Sequence, residues 1–246
     1  MEKKKITKTP AARRSAGTKD EKVKKSGNAD AVKATGKAGK ADKGKAAAGK
    51  AGKAVEESRK RAFPKPGNFL YPVPPAMVSL GGGDDPKNII TIAWTGTICS
   101  DPPMVSISVR KERFSYEILK RRREFVINLP NRALAYACDF CGCTTGAKTD
   151  KFKEAHLTPG ESTVISAPTI EEAPISIECV VKQIIPLGSH DMFLAEVKAV
   201  QADSRYMDEN GKFHMEKADL VAYSHGKYYG LGKIIGTFGY SVRKKK

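Results

Sequence analysis

Hydrophobic and polar residues alternate along several short segments of the chain, which is typical of half-buried β-strands. In residues 104–109, valine or isoleucine occupies every second position from 105 onward, with serine between them. Shorter hydrophobic segments predict strands over residues 76–80, 88–94 and 125–129, and a further strand over 192–200. A longer alternating segment predicts a strand whose core face is formed by Ile175, Ile177, Cys179, Val181 and Ile185.

Two other segments have helical spacing. The first begins at Ser115, the predicted N-cap, with Phe114 placed to pack on Leu119. The second begins at Pro130 and ends at Gly142, and its apolar stripe consists of Leu134, Ala137, Cys138 and Cys141. Because strands outnumber helices and no β-α-β alternation is present, we expect a mainly β fold, an antiparallel barrel with a few inserted helices.

The chain has 246 residues and a formal net charge of +17. Residues 1–60 contain 19 Lys and Arg against 7 Asp and Glu, and apart from Met1 they contain no Leu, Met, Phe, Tyr or Trp. Such a segment cannot offset its ordering entropy, so we predict a disordered basic tail over 1–60 and a folded domain over 61–246. The Lys/Ala/Gly-rich tail suits either non-specific contact with nucleic-acid phosphates or a solubilising linker.

The sequence predicts a cytoplasmic protein without a membrane span. It contains no run of about 18–20 apolar residues. Its basic start leads into no apolar segment of the kind found in secretory signals. Its five cysteines are an odd number in a chain large enough for a core, which favours a reducing compartment over a disulfide scaffold.

Motifs for conventional catalysis are missing from the sequence, which has no GxSxG, HExxH or Walker A pattern. Cys138, Cys141 and Cys143 form a CxxCxC run, but three thiols without a second cluster are a weak metal signal. We therefore interpret Cys138 and Cys141 as core residues, keep Cys143 as a candidate reactive thiol, and assign no metal site. Redox chemistry remains open, because a bound cofactor would supply it.

A series of motifs lies in one order between residues 64 and 241. It begins with NIITIAWTGTICSDPPMVSISVRKERFSYEIL from Asn88 and EFVINLP from Glu124. It continues with TDKF at 149–152, GSHDMFLAEV at 188–197 and GKYYGLG from Gly226. Together these segments resemble the flavin reductase-like, FMN-binding split-barrel family, and most of all its flavoredoxin branch. The resemblance implies an antiparallel Greek-key split β-barrel, non-covalently bound FMN and a homodimer.

The resemblance also implies which residues contact the flavin ring. Those that would line it are Asn88, Thr91, Ala93 and Trp94. Trp94 suits a core or dimer contact equally well. Ser100 would belong to a loop of the site, and Tyr223 would place an aromatic ring near the flavin.

The phosphate and the reacting side of the flavin have their own candidates by the same resemblance. Ser115 would donate its hydroxyl to the phosphate at a helix N-terminus, where anions bind readily. Arg110 and Lys151 are the candidate phosphate cations. His190 would lie over or beside the flavin as the candidate catalytic residue, bonded to the ring or to an incoming nicotinamide.

We therefore expect a flavoprotein oxidoreductase that passes electrons from NAD(P)H or a redox protein through FMN to an acceptor. Two mechanisms stay open, a reductase that takes hydride from NAD(P)H and a carrier that relays electrons between proteins. The alternative class is a nucleic-acid-associated split-barrel binding protein, tethered by its basic tail and without redox turnover. A metal protein built on the CxxCxC run is a third hypothesis.

Overall fold

The computed structural model describes residues 59–243, and every strand predicted above is present in it. The strands are β1 (Ala76–Gly82), β2 (Asp85–Ile92), β3 (Thr95–Ser100), β4 (Pro103–Arg110), β5 (Glu124–Leu129), β6 (Pro159–Gly160), β7 (Thr169–Ile170), β8 (Ile175–Pro186), β9 (His190–Ala202), β10 (Val221–Ser224) and β11 (Lys227–Gly230). The helices are α1 (Phe114–Arg122), α2 (Ala135–Cys143) and α3 (Lys151–Glu154).

Seven strands form one antiparallel sheet in the order β2-β1-β5-β8-β9-β4-β3. Its two edge strands, β2 and β3, are consecutive in sequence and are joined by Ala93 and Trp94 alone. Because so short a connection spans roughly 10 Å, the sheet has to curl until its two edges come together. The predicted antiparallel barrel with inserted helices is thus confirmed.

The core lies inside this curl, and α1 contributes buried side chains to it. Its largest fully buried members include Phe125, Phe193, Leu119 and Ile107. A second cluster lies on the other face of β1 and β2, where α2 and α3 pack. The apolar stripe predicted for the second helix is buried there, which confirms it. Ala137, Cys138 and Cys141 belong to α2, and Leu134 lies in the 3₁₀ turn that precedes it.

The long strand β8 departs from the predicted alternation near its end. Val181 pairs with Ala195 and Gln183 pairs with Leu194, so Lys182 is an extra residue that forms a β-bulge. A bulge shifts the alternation by one position, so Ile184 packs against the core. The prediction that Ile185 shares the core face is therefore wrong.

Two predicted helix ends also differ from the structure. The N-cap of α1 is Arg113, whose extended backbone precedes the helix, and Ser115 already lies in the first turn. Before α2, a 3₁₀ turn is capped by Asn131, whose side chain accepts a hydrogen bond from the Leu134 amide at 3.1 Å. Helix α2 then continues one residue beyond the predicted stop at Gly142.

Most of the predicted basic tail lies outside the described residues, since residues 1–58 are not among them. The prediction of a disordered tail and that of a nucleic-acid contact through residues 1–60 therefore stay predictions. Within residues 59–243, no helix is long and apolar enough to cross a membrane.

Candidate functional site

A large cleft opens where the chain passes from β2 to β3. Its volume is about 1020 Å³, and Ala93 and Trp94 form part of its wall. Arg110 at the end of β4 and His190 at the start of β9 are paired across the sheet and form another part. The cleft therefore brings together four of the predicted site residues.

The walls of the cleft combine aromatic and polar groups. Trp94 is half-buried, and its ring centroid lies 6.0 Å from that of Tyr71. The Nδ1 atom of His190 lies 2.8 Å from the hydroxyl of Ser189. Burial lowers the pKa of His190, and the positive charge of Arg110 lowers it further. The imidazole is therefore neutral at pH 7 and can donate or accept a hydrogen bond toward a ligand.

A second cavity of about 320 Å³ lies beside the N-terminus of α1. It holds the predicted residues Ser115 and Lys151. The other lining residues are Ile90, Glu112, Arg113, Phe114, Thr144, Thr145 and Gly146. The lining contains three hydroxyl side chains and two cations, Arg113 and Lys151, and its one carboxylate is that of Glu112. Hydroxyl donors and cations together suit the binding of a phosphate group.

Asn88 supports the second cavity from behind. It is 2% exposed, and its Nδ2 donates a hydrogen bond to the Ser115 hydroxyl at 2.8 Å. Because that hydroxyl accepts from Asn88, its own hydrogen is free to point into the cavity. Asn88 thus orients the Ser115 hydroxyl, and it does not line the large cleft. The prediction that it contacts a flavin ring stays a prediction.

Lys151 is held below the same cavity at 3% exposure. Its Nζ donates hydrogen bonds to the carbonyl oxygens of Ile89 and Cys141, each at 2.7 Å. An ammonium has three N–H donors, so one remains for a ligand. Burial lowers the pKa of Lys151 to about 8, and the nearby charge of Arg113 lowers it as well.

A third cavity of about 220 Å³ is bordered by Thr91, Ala93 and Tyr223. Thr91 donates its hydroxyl hydrogen to the carbonyl of Cys138 on α2. Tyr223 packs against Tyr228 with their ring centroids 5.3 Å apart. Because Ala93 borders this cavity and the large cleft, the predicted contacts Thr91 and Tyr223 lie next to the cleft and not in it.

Two predicted contacts are placed differently from the rest. Ser100 is exposed at the end of β3, opposite Pro103, and it borders none of the three cavities. Arg110 lines the large cleft, so the two predicted phosphate cations occupy different cavities. Arg110 is half-exposed and pairs with Glu112 at 3.3 Å.

The sequence analysis missed Arg113 and the loop of Thr144, Thr145 and Gly146. The available signals were a basic residue just before a helix and a Thr-Thr-Gly run between two helices. A methyl group on Gly146 would lie 2.3 Å from the Asn88 Oδ1 atom and 2.8 Å from the Phe114 ring. Glycine is therefore the residue that keeps this loop close to the two side chains.

The cysteine run does not form a metal site. No group of three or more His, Cys, Asp or Glu side chains is arranged to hold a metal ion in the described part of the chain. Cys138 and Cys141 are buried in the second cluster, so their interpretation as core residues is confirmed. Cys143 is exposed.

Comparison with known proteins agrees with this geometry. The flavin reductase like domain matches residues 69–232 of this chain. Flavoredoxin of Desulfovibrio vulgaris (Miyazaki F) is 28% identical with a TM-score of 0.69, over 75% of this chain and 100% of that one. An FMN-binding protein from Thermus thermophilus, 23% identical, shares the fold with a TM-score of 0.60 over 73% of this chain and 98% of that one.

A curated relative, FMN reductase (NADH) of Acinetobacter baylyi, is 27% identical over 115 residues. That match covers 47% of this chain and 59% of the relative. The family match extends from the entry to the first strand through the last hairpin. It includes every lining residue of the two smaller cavities and all those of the large cleft except Gly67 and Asn68. The chain therefore belongs to the flavin reductase-like family of split-barrel proteins, near its flavoredoxin branch.

Proposed function

We propose that this chain binds FMN non-covalently and works as a flavin-dependent oxidoreductase. The observation that carries the proposal is that the second cavity and the large cleft lie along the same extended segment of chain. Ile90 borders the first and Trp94 borders the second. Four residues of extended chain span at most about 13 Å, a length that the sugar-alcohol chain of FMN and part of its ring can cover.

The second cavity would hold the phosphate. The Ser115 hydroxyl, oriented by Asn88, would donate to one phosphate oxygen. The third N–H of Lys151 and the guanidinium of Arg113 would balance the negative charge. The N-terminal end of α1, which has nine residues, adds its positive dipole at the same place.

The large cleft would hold the ring. Trp94 supplies an aromatic wall, and the neutral imidazole of His190 supplies a hydrogen-bonding group. When bound, FMN supplies hydride and single-electron chemistry, and the protein contributes binding, orientation and electrostatics. Arg110, a half-exposed lining residue of the cleft, would place a positive charge near the ring or near an incoming anionic donor.

The electron donor is a reduced nicotinamide or a redox protein. The name of the Acinetobacter relative, an NADH-dependent FMN reductase, supports a nicotinamide. Anaerobic stopped-flow mixing of the FMN-loaded protein with NADH and with NADPH separates the two mechanisms. Rapid bleaching of the flavin identifies a reductase, and the absence of bleaching with both nucleotides leaves only the carrier mechanism.

Flavin binding itself is tested with the purified full chain. FMN added in excess should stay with the protein through gel filtration and should lose its fluorescence on binding. Ser115→Ala should weaken FMN binding about tenfold, which is about 1.4 kcal/mol, while riboflavin binding changes little. Ser100→Ala, at an exposed serine outside the cavities, is the matched control. A protein that retains no FMN would refute the proposal.

We also propose that the protein is a homodimer in the cytoplasm. The C-terminal segment exposes a dense set of apolar side chains, each 60% or more exposed: Leu231, Ile234, Ile235, Phe238, Tyr240 and Val242. Exposed apolar surface of this density is typical of an interface. Light scattering should give twice the chain mass, and Ile235→Asp should reduce it. The five free cysteines support a reducing compartment.

A further inference from the structure

A buried polar cluster lies one residue along the chain from three of the candidate cofactor contacts. Its members are Lys111, Tyr116 and Asp191, which follow Arg110, Ser115 and His190 respectively. Tyr116 and Asp191 are 5% and 4% exposed, whereas the Lys111 side chain is half-exposed. The cluster therefore joins three elements, the end of β4, the first turn of α1 and the start of β9.

The contacts within the cluster converge on Asp191. The Tyr116 hydroxyl donates to its Oδ2 atom at 2.5 Å. The Oδ1 atom accepts no hydrogen bond, but the Lys111 ammonium lies 3.3 Å from it. The tyrosine ring also packs edge-on against Phe193, which is two residues further along β9. Helix α1 is thereby fixed to the beginning of β9.

Both groups keep their ordinary ionisation state at neutral pH. The hydrogen bond from Tyr116 lowers the pKa of Asp191, and the Lys111 charge lowers it further. The same hydrogen bond and burial raise the pKa of Tyr116 to about 12. Replacing a buried carboxylate and its partner by apolar side chains often leaves the free energy of unfolding unchanged or increases it. The contribution of Asp191 is therefore the geometry that its contacts impose.

We propose that Asp191 is a positioning residue that sets Ser115, Arg110 and His190 at their working distances from one another. In a strand, successive side chains point to opposite faces, so the inward Asp191 fixes the direction of its neighbour His190. The turn before β9 is closed by a backbone hydrogen bond next to Asp191, in which the Leu187 amide donates to the His190 carbonyl at 3.0 Å. This inference rests on the proposed function, in which those three residues contact FMN.

The test uses the full chain with Tyr116→Phe, which removes the hydroxyl and keeps the ring that packs on Phe193. The matched control is Tyr206→Phe, whose ring packs on Phe213 in the loop after β9. Affinities for FMN and riboflavin are measured by fluorescence, and amide hydrogen exchange is followed at residues 187–190. These readouts report geometry and not only stability.

Tyr116→Phe should raise the FMN dissociation constant about tenfold, with a several-fold smaller effect on riboflavin because Ser115 faces the phosphate. The Leu187 amide should exchange several times faster, whereas the Tyr206 control leaves both readouts unchanged. Lys111→Met, at a half-exposed position, should also raise the FMN dissociation constant and the exchange rate of the Leu187 amide, each by a smaller factor. It serves as the second variant if Tyr116→Phe does not fold.

Unchanged exchange and an unchanged FMN-to-riboflavin affinity ratio in both variants would overturn the positioning role. The proposed function fails separately, when the unaltered chain binds no FMN. In that case the amide exchange of the FMN-free protein still shows whether the cluster controls the turn at His190.

Discussion

The charge on Lys151 should make FMN affinity fall as the pH rises above 8. Burial lowers the pKa of Lys151 in the free protein to about 8, so the ammonium loses its proton within an accessible range. A phosphate dianion in the cavity would favour the charged form and raise that pKa again. Binding above pH 8 therefore requires uptake of a proton, and the dissociation constant increases with pH.

The size of the change in FMN affinity follows from how far the pKa of Lys151 is lowered in the free protein. If the bound phosphate returns the pKa toward the ordinary value of 10.5, the dissociation constant rises about tenfold between pH 7 and pH 9. The full shift corresponds to at most about 3 kcal/mol. In the free protein the same shift has the opposite consequence for folding. It destabilises the fold below pH 8, and this cost disappears as the pH rises from 8 toward 10.5.

The assay is a fluorescence titration of FMN at half-unit steps from about pH 7 to 9.5, spanning the pKa of the free ammonium. Lys151→Met should bind FMN more weakly at pH 7 and should lose the pH dependence. Lys153→Met, on the exposed side of the same short helix, should keep the slope of the unaltered protein. A flat curve for the unaltered protein, or an equal slope in Lys151→Met, would refute the reasoning.

Three further predictions concern neighbouring features. Gly146→Ala should displace Asn88, 2.3 Å from the new methyl group, and weaken FMN binding at least tenfold, whereas Gly232→Ala, with open space around it, should have no effect. A thiol reagent followed by mass spectrometry should modify the exposed Cys143 before the three buried cysteines, because burial raises the pKa of those three thiols; equal modification of a buried thiol would contradict this. Glu178→Gln should lower the free energy of unfolding by about 2 kcal/mol at pH 7. Burial alone would raise the pKa of Glu178, but its hydrogen bonds lower it, so this difference should shrink below about pH 4 in chemical denaturation, and a constant difference would contradict the assignment.

The alternating pattern identifies strands well where one face is buried and the other is not. It fails at β3, where Thr97 and Ile98 are exposed and no apolar alternation marks the strand. It also fails beyond Val181, because a bulge changes which side chains face the core and no residue type announces it. In both places the structure depends on contacts with another strand, which the local sequence does not show. Strand β3 is stabilised by pairing with β4, and the bulge by pairing with β9.

The sequence predicted which residues line the candidate cavities better than it predicted how those residues are arranged. Ser115 and Lys151 meet in one cavity, and His190 and Trp94 meet in another. The sequence did not reveal that Asn88 lies behind Ser115. That contact joins side chains 27 positions apart, and local spacing carries no information about such a separation.

The arrangement itself follows from one edge strand. Within four residues, β2 makes a separate connection to each inserted helix. The Asn88 side chain binds the Ser115 hydroxyl of α1, the Ile89 carbonyl accepts from Lys151 of α3, and the Thr91 hydroxyl binds a carbonyl of α2. An edge strand can do this because one side of its backbone has no neighbouring strand. The same four residues that attach the helices include Ile90, which borders the second cavity, and they lead directly into Ala93 and Trp94 at the large cleft. A substitution in β2 that keeps its pairing with β1 but removes one of these connections should therefore impair flavin binding before it impairs folding.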